Sequence, residues 1–441
     1  MLRVEDNEAM CRVGPGTPMG SLLREYWLPA TVPSTLLPSA DCPPVRVRLL
    51  GEDLIAFRTT SGSVGLVANA CPHRGASLFF GRNEEEGLRC VYHGWKFDVT
   101  GACVDMPSEP AESNFRTKVH ARAYPCVERN GMVWTYMGAR EVPPPLPDFE
   151  FNTASEHMCY HPGFVFYDCN WVQAMEGDVD SSHIDYLHSR LTPEAPPEDQ
   201  VGFGQAMWNA DRTPILLTRA MDYGAVYAAQ RRWDGRYHYR IAQFLMPFYT
   251  MIPGSGPSVA FNAWVPLDDD HTVQISFRTS LREPVPAEQR GRIADPYTRL
   301  GGYLPATSDP LTRWRSPAHR GNDYLINYEN QRSVMFSGIP REGKLQDIAV
   351  MESMETVADR PREHLGRSDA MIILVRRTLL NATNAYLVGR LHPTVDNPAL
   401  YRVRSAEVIL PGDVEWFEGT EANRKVEGGV RLVHFQAAEV V

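Results

Sequence analysis

The chain has 441 residues, 43% of them hydrophobic and 22% charged, with a formal net charge of -10. That balance belongs to an ordinary globular protein of two or three domains and excludes a fibrous or disordered chain, while the acidity and the lack of a basic block argue against nucleic acid as a partner. No run approaches the roughly eighteen uncharged apolar residues of a membrane span, and the first residues carry no signal-peptide core, so a cytoplasmic protein with no membrane contact is expected.

In chain order, Met19 to Trp27 reads as a short amphipathic helix after a Gly/Pro turn. From Val45 to about Met137 the pattern changes to short alternating segments, Val45–Leu49, Asp53–Arg58, Val64–Val67, Lys96–Val99 and Gly131–Tyr136, with turn residues between them. Regular short strands of this kind predict an all-β sandwich or barrel.

Two loops interrupt that β pattern, Cys71-Pro72-His73-Arg74-Gly75 and Cys90-Val91-Tyr92-His93-Gly94-Trp95. Each offers one thiolate and one imidazole. Cys71, His73, Cys90 and His93 together make the ligand set of a Rieske [2Fe-2S] cluster, in which two Cys hold one iron and two His the other. Structural zinc also uses two Cys and two His. Zinc fingers, however, pair like with like in sequence, whereas here each loop carries one of each. The other six cysteines, Cys11, Cys42, Cys103, Cys126, Cys159 and Cys169, lack a framework spacing and read as reduced thiols.

A proline-rich segment, Val142 to Phe149, cannot continue a helix or a central strand and predicts a semi-rigid linker. It puts a domain boundary near residue 140, giving domains of 1–140 and 141–441. The stretch Asn170 to His188 that follows is largely helical in pattern, with Glu176, Asp180 and His183 at i, i+4 and i+7 on one face. His188 lies about 140° from His183 on a regular helix, so the two can reach one metal only if the helix ends or bulges between them. Strand patterns return between about 200 and 280, at Val226–Gln230, Tyr237–Leu245 and Thr272–Arg278. The segment 283–345 is polar and loop-rich. Arg362 to Asp369 then leads into a long helix that begins at Ala370 and ends near Gly389.

An oxygen-activating non-haem Fe(II) needs two His and one carboxylate on one side, with positions left open. His183 and His188 supply the imidazoles. Asp369 is the candidate carboxylate, although its place also suits an ordinary helix N-cap.

The two Cys/His loops followed by Glu-x3-Asp-x2-His-x4-His resemble the α (oxygenase) subunits of Rieske non-haem iron aromatic ring-hydroxylating oxygenases. More narrowly, Cys71 to Phe80, Val91 to Asp98, Met175 to His188, Phe244 to Pro253 and Glu363 to Leu380 are similar to the phthalate dioxygenase branch. The resemblance implies an α+β chain: an N-terminal all-β Rieske domain, then a catalytic domain with an antiparallel sheet flanked by helices. It implies a [2Fe-2S] cluster and a mononuclear Fe(II), with Asp369 as third iron ligand and Asp180 as the carboxylate that bridges a cluster histidine of a neighbouring subunit to an iron-bound histidine. A homotrimer or hexamer and a separate NAD(P)H-dependent flavin and iron-sulfur reductase are further implications. The reaction it suggests is cis-dihydroxylation of an aromatic carboxylate of the phthalate type, with O-demethylation of a methoxylated aromatic acid as the alternative on the same metals.

A carboxylate substrate needs a fixed cation in an otherwise apolar pocket. Arg240, inside an apolar strand, Arg212 and Arg219 are candidates, and Asn170, just ahead of the helix, is a candidate pocket residue. Each also suits a structural ion pair, an exposed strand position or a turn. An electron carrier using the cluster alone is the competing function class. Iron analysis of the purified chain separates the two: the oxygenase is expected to hold about three irons per chain and a carrier about two.

Overall fold

The structure is a computed structural model that describes residues 2–110, 112–191, 211–254 and 257–426. Near the N-terminus, helix α1 (Val4–Cys11) is followed by α2 (Pro18–Leu23). Thr17 starts α2, its hydroxyl accepting the Gly20 N–H at 3.2 Å with Pro18 in the first turn. The helix is shorter than its pattern suggests, because Trp27 already opens a strand, β1 (Trp27–Pro33).

Alternation decides the next elements. In Val45-Arg46-Val47-Arg48-Leu49 the buried side chains are Val47 and Leu49, as a half-buried strand requires. This β2 (Val45–Leu49) pairs antiparallel with β3 (Glu52–Arg58), which pairs with β4 (Val64–Ala68). A second small sheet joins β5 (Arg82–Glu84), β6 (Gly87–Arg89), β7 (Lys96–Phe97) and β8 (Cys103–Asp105) in order. The strand β9 (Ala123–Tyr124) completes the first sheet, while β10 (Cys126–Arg129) and β11 (Met132–Tyr136) pair with each other and with β1. The N-terminal region is therefore all-β apart from short helices.

The remainder is built on one eight-stranded antiparallel sheet. Its strands are β12 (Gly163–Tyr167), β13 (Ile215–Met221), β14 (Gly224–Trp233), β15 (Arg236–Leu245), β16 (Tyr249–Met251), β17 (Ser258–Pro266), β18 (Thr272–Ser280) and β19 (Ala406–Leu410). Side chains of β15 alternate between two cores: Ala242 and Phe244 face the main core, Tyr239 and Ile241 a smaller one on the other side. Three helices matter for the site: α3 (Trp171–Val179), α4 (Leu345–Ser353) and α5 (Ala370–Leu387). The architecture is thus α+β, an all-β N-terminal region followed by an antiparallel sheet with helices. Among the described residues no helix is long and apolar enough to cross a membrane.

All nine residues of α3 are buried, so its polar side chains must find partners inside the protein. Glu176 meets Arg376 at 2.6 Å and Arg360 at 3.2 Å, and Arg376 also meets Glu363 at 2.5 Å. Burial alone would raise the Glu176 carboxyl, yet the two guanidiniums hold it below its ordinary value. Glu176 thus ties α3 to α5 and is not a member of the histidine group. Breaking a buried pair leaves a charge in the interior at about 3–5 kcal/mol. Arg376→Met is expected to lower unfolding stability by that amount in denaturant titration, and Glu176→Gln with Arg376→Met to recover part of it. The lowered carboxyl also fixes the pH sense: this stabilisation is complete above Glu176's ordinary value and is lost as pH falls through its depressed one.

Candidate functional site

The two Cys/His loops are built alike. The Gly75 N–H donates to the Cys71 carbonyl at 2.8 Å and the Gly94 N–H to the Cys90 carbonyl at 2.9 Å. Both glycines sit at positive φ, 77° and 80°. Other residues are strained there, and a Cβ on Gly94 would come within 2.7 Å of the Pro107 ring. The result brings Cys71 beside Cys90, and His73 beside His93 with ring centroids 4.5 Å apart. Trp95 backs the pair, stacked on His73 at 4.3 Å and held by its indole N–H to Ser108.

The four side chains fit a two-iron cluster better than one zinc ion. The thiols are buried and the imidazoles lie toward the surface. Among the described residues these four donors do not crowd around a single point, as tetrahedral zinc demands. His93 Nδ1 is buried with no hydrogen-bond partner, the condition of an atom reserved for a metal. Burial, and next to it the neighbouring Cys90 and Cys103, push the Cys71 thiol up to about 11, while the backbone at His73 pulls it down. A metal must therefore displace that proton.

The second group of donors stands where α3 ends. Asp180 leaves the helix, and His183 lies in a short 3-10 turn, His183–Asp185. The helix stops ahead of both histidines, so the predicted single helical face of Glu176, Asp180 and His183 does not form. Freed from helical spacing, His183 Nε2 and His188 Nε2 approach to 3.2 Å. The carboxylate that joins them is Asp347, with Oδ1 at 3.2 Å from His188 Nε2 and 3.5 Å from His183 Nε2. Ligand bonds of about 2.1 Å meeting at about 90–109° put donor atoms about 3.0–3.4 Å apart. His183, His188 and Asp347 are the one group of this kind among the described residues, and they fit one divalent ion held on one side.

Asp369, the expected third ligand, is not in that group. Its Oδ2 accepts the Gly366 N–H at 2.6 Å, closing the turn ahead of α5. The reason is packing: α5 lies on α1, α2 and the β13–β14 edge, whereas α4 packs across α3. At Asp369 the turn-closing role wins, and the carboxylate beside the histidines comes from the first turn of α4.

The surroundings hold these donors in place. Gln346 Oε1 lies 2.7 Å from His188 Nδ1. The Gln346 amide nitrogen donates to the Ile339 carbonyl at 3.0 Å and to the Ser337 hydroxyl. Its oxygen can therefore only accept, which puts the proton on His188 Nδ1 and leaves Nε2 with a lone pair. Asp180 Oδ2 lies 3.6 Å from His183 Nδ1, just beyond hydrogen-bond length, and its Oδ1 accepts the Ser182 N–H at 2.7 Å. Burial works against the charge on Asp347. The His188 contact and the nearby Lys344 more than offset it and bring the carboxyl down to about 2.

The other expected residues divide. Arg240 is buried on the face of β15 shared with Ala242 and Phe244, with its charge felt at Tyr227 and Lys344. Arg212 is exposed and acts on Asp185. Arg219 stacks on Phe417 at 3.9 Å, away from the group. Asn170 does not line the site: it caps α3 through Val172 N–H and donates to the carbonyls of Cys11 and Asp269. Sequence reading missed Asp347, Gln346 and Lys344, because an Asp in the first turn of a helix is commonplace and nothing local marks this one.

Two domains, one with paired Cys/His loops and one with a two-histidine, one-carboxylate group, define an oxygenase that joins an electron-transfer cluster to a mononuclear metal. The Rieske [2Fe-2S] domain family matches residues 27–125, and the family described as LigXa C-terminal domain like matches residues 135–432. The chain is 39% identical to the 3-chlorobenzoate-3,4-dioxygenase oxygenase subunit of Comamonas testosteroni, over 98% of this chain and 100% of that one. It is 35% identical to the phthalate 4,5-dioxygenase oxygenase subunit of Pseudomonas putida, over 94% of each, and 31% to the 5,5'-dehydrodivanillate O-demethylase oxygenase subunit of a Sphingobium species, over 86% and 80%. In fold it is similar to the terminal oxygenase of carbazole 1,9a-dioxygenase from Novosphingobium sp. KA1, with TM-score 0.55 at 18% identity over 86% of this chain and 95% of that one. The chain belongs to the Rieske non-haem iron oxygenase α subunits, oxidoreductases whose cofactors are a Rieske [2Fe-2S] cluster and a mononuclear iron.

The two aspartates can be told apart directly. Asp347→Asn is expected to leave the cluster's visible absorption intact and to remove about one iron per chain by elemental analysis. Asp369→Ala is expected to keep full iron and to cost about 0.5–1.5 kcal/mol of stability, the range for one lost hydrogen bond.

Proposed function

We propose that the chain is the oxygenase component of a multicomponent system that cis-dihydroxylates an aromatic carboxylate of the phthalate or halobenzoate type. The observation that carries this is the meeting of His183, His188 and Asp347 in a chain that also holds the Cys71, His73, Cys90 and His93 loops. Full-length similarity to oxygenase subunits named for 3-chlorobenzoate and phthalate supports the substrate class. When bound, the cluster supplies electrons one at a time and the mononuclear iron activates dioxygen beside the substrate.

The protein's own groups do the rest. Cys71 and Cys90 would hold one cluster iron and His73 and His93 the other, with the imidazoles toward the surface where a partner can reach them. His183, His188 and Asp347 would hold the mononuclear iron from one side, the donor set with which such an iron takes up dioxygen beside a substrate. Gln346 fixes the His188 proton on Nδ1, and Asp180 orients His183. In our reading Asp180 also bridges to a cluster histidine of a second copy in a trimer or hexamer, which a single chain cannot supply. Arg240 is the cation for the substrate carboxylate, since it is buried near Lys344 on the main-core face of the sheet. A separate NAD(P)H-dependent reductase in the cytoplasm feeds the cluster, and the proline-rich segment after residue 140 separates the two domains. O-demethylation of a methoxylated aromatic acid is the second reading, supported by the likeness to an O-demethylase subunit over 86% of this chain.

Single-turnover analysis of the reduced protein under labelled dioxygen decides between them, with phthalate, isophthalate, 3-chlorobenzoate and a methoxybenzoate as substrates. A cis-diol carrying two labelled oxygens is expected. Formaldehyde with one labelled oxygen in the products would transfer the protein to the demethylases, and absence of any oxygenated product from all four acids would overturn the aromatic-carboxylate reading.

A further inference from the structure

A buried carboxylate on α3 stands close to the metal group without belonging to it. Asp178, on α3 and 3% exposed in its side chain, accepts from the Thr250 hydroxyl at 2.7 Å and the Asn262 amide at 2.6 Å, and pairs with Lys344 Nζ at 3.0 Å. The Trp264 indole N–H in turn donates to the Thr250 hydroxyl at 2.9 Å. Asp178 is thereby fixed to two strands, β16 and β17, as well as to its own helix. Lys344 is the residue immediately before α4, and its side chain makes no capping hydrogen bond to that helix.

Position gives the pair its consequence. The second and third residues of α4 are Gln346, which sets the proton of His188, and Asp347, the carboxylate of the metal group. At its far end α4 is held to α3 by Gln173, whose amide donates to the Met351 and Glu355 carbonyls. Between these points the helices touch, since a Cβ on Gly177 would lie 3.1 Å from Met351 Cε. At the near end the ion pair is the polar link between the start of α4 and α3. A shift of α4 along its axis would carry Gln346 and Asp347 together away from the histidines, because a helix moves as a unit.

We propose that the Lys344–Asp178 ion pair is a positioning strut that sets where Gln346 and Asp347 stand relative to His183 and His188, and through them the affinity and ligand field of the bound metal. This rests on the assignment of His183, His188 and Asp347 as the iron site. Lys344 is not one of the three donors grouped with His183, and its ammonium pairs with Asp178. Its charge does a second thing: placed near both Asp178 and Asp347, it balances carboxylates that would otherwise repel across the gap between the two helices.

The test uses the full-length protein with its cluster intact and the mononuclear metal removed. Fe(II) is returned anaerobically against a competing chelator, and the nitric oxide adduct is read by EPR. Lys344→Met and Asp178→Asn are each expected to weaken Fe(II) binding by about 10–100-fold, the range for lost support behind a metal ligand, and to change the rhombicity of the EPR signal. The double variant is expected to lose little more than either single one, because the pair acts as one link. Lys344→Arg, which keeps the charge, is expected to restore most of the affinity. The thermal midpoint of the metal-free protein reports any loss of packing separately, and Asp178→Asn carries the test if Lys344→Met does not fold. Affinity within about twofold of the unaltered protein together with an unchanged EPR signal, in whichever of these variants folds, overturns the strut. Failure of the unaltered protein to bind Fe(II), or undiminished binding by Asp347→Asn, overturns the metal site instead.

Discussion

Acidic groups crowd the end of α3, and burying them is the constraint on which this part of the structure depends. Asp178, Asp180 and Asp347 belong to one neighbourhood, largely shielded from water by the sheet and by α4. Buried anions are tolerated only with partners. Lys344 and Arg240 bring two positive charges to the same region, and a divalent ion held by Asp347 and the two histidines adds the rest. The charge balance therefore favours a metal at the point where the donor atoms converge, independently of their spacing.

Rigidity comes from how α3 uses its polar residues. Asn170 ties its start to Cys11 and Asp269, Gln173 to the far end of α4, Glu176 to Arg360 and Arg376, and Asp178 to β16, β17 and Lys344. Each of these side chains reaches a different element. A nine-residue helix wholly surrounded by protein becomes in this way the fixed body from which the loop Asp180 to His188 departs. Catalytic geometry needs donors held within a fraction of an ångström, and here the precision is supplied from outside the loop.

The cluster loops show the opposite economy. Their geometry is local: a Cys carbonyl receives the N–H of a glycine four residues on, the glycine turns the chain back, and the same turn occurs twice. Trp95, bonded to Ser108, and Arg89, which donates to the Gly94 carbonyl at 2.7 Å, support them from nearby in the chain. Structure of this kind is written in a few consecutive residues, which is why Cys71, His73, Cys90 and His93 could be read before any fold was known.

The same distinction separates the legible from the illegible elsewhere. Alternation marked β2, β3, β14, β15 and β18, and the long apolar period marked α5, because backbone periodicity is a property of neighbours in sequence. His183 and His188 were legible as a pair, along with the need for the helix to stop. The third ligand was not. Asp347 and Asp369 both stand at the start of a helix in the C-terminal half, and nothing adjacent to either tells a ligand from a cap. Asn170 had the reverse fate, a cap where a pocket residue was expected. The sequence by itself determined the metals' chemistry, the strand segments and the order of the two regions. Tertiary structure alone decided which carboxylate completes the site, since that depends on which helix packs across α3, and such packing is fixed by buried surfaces far apart in the chain.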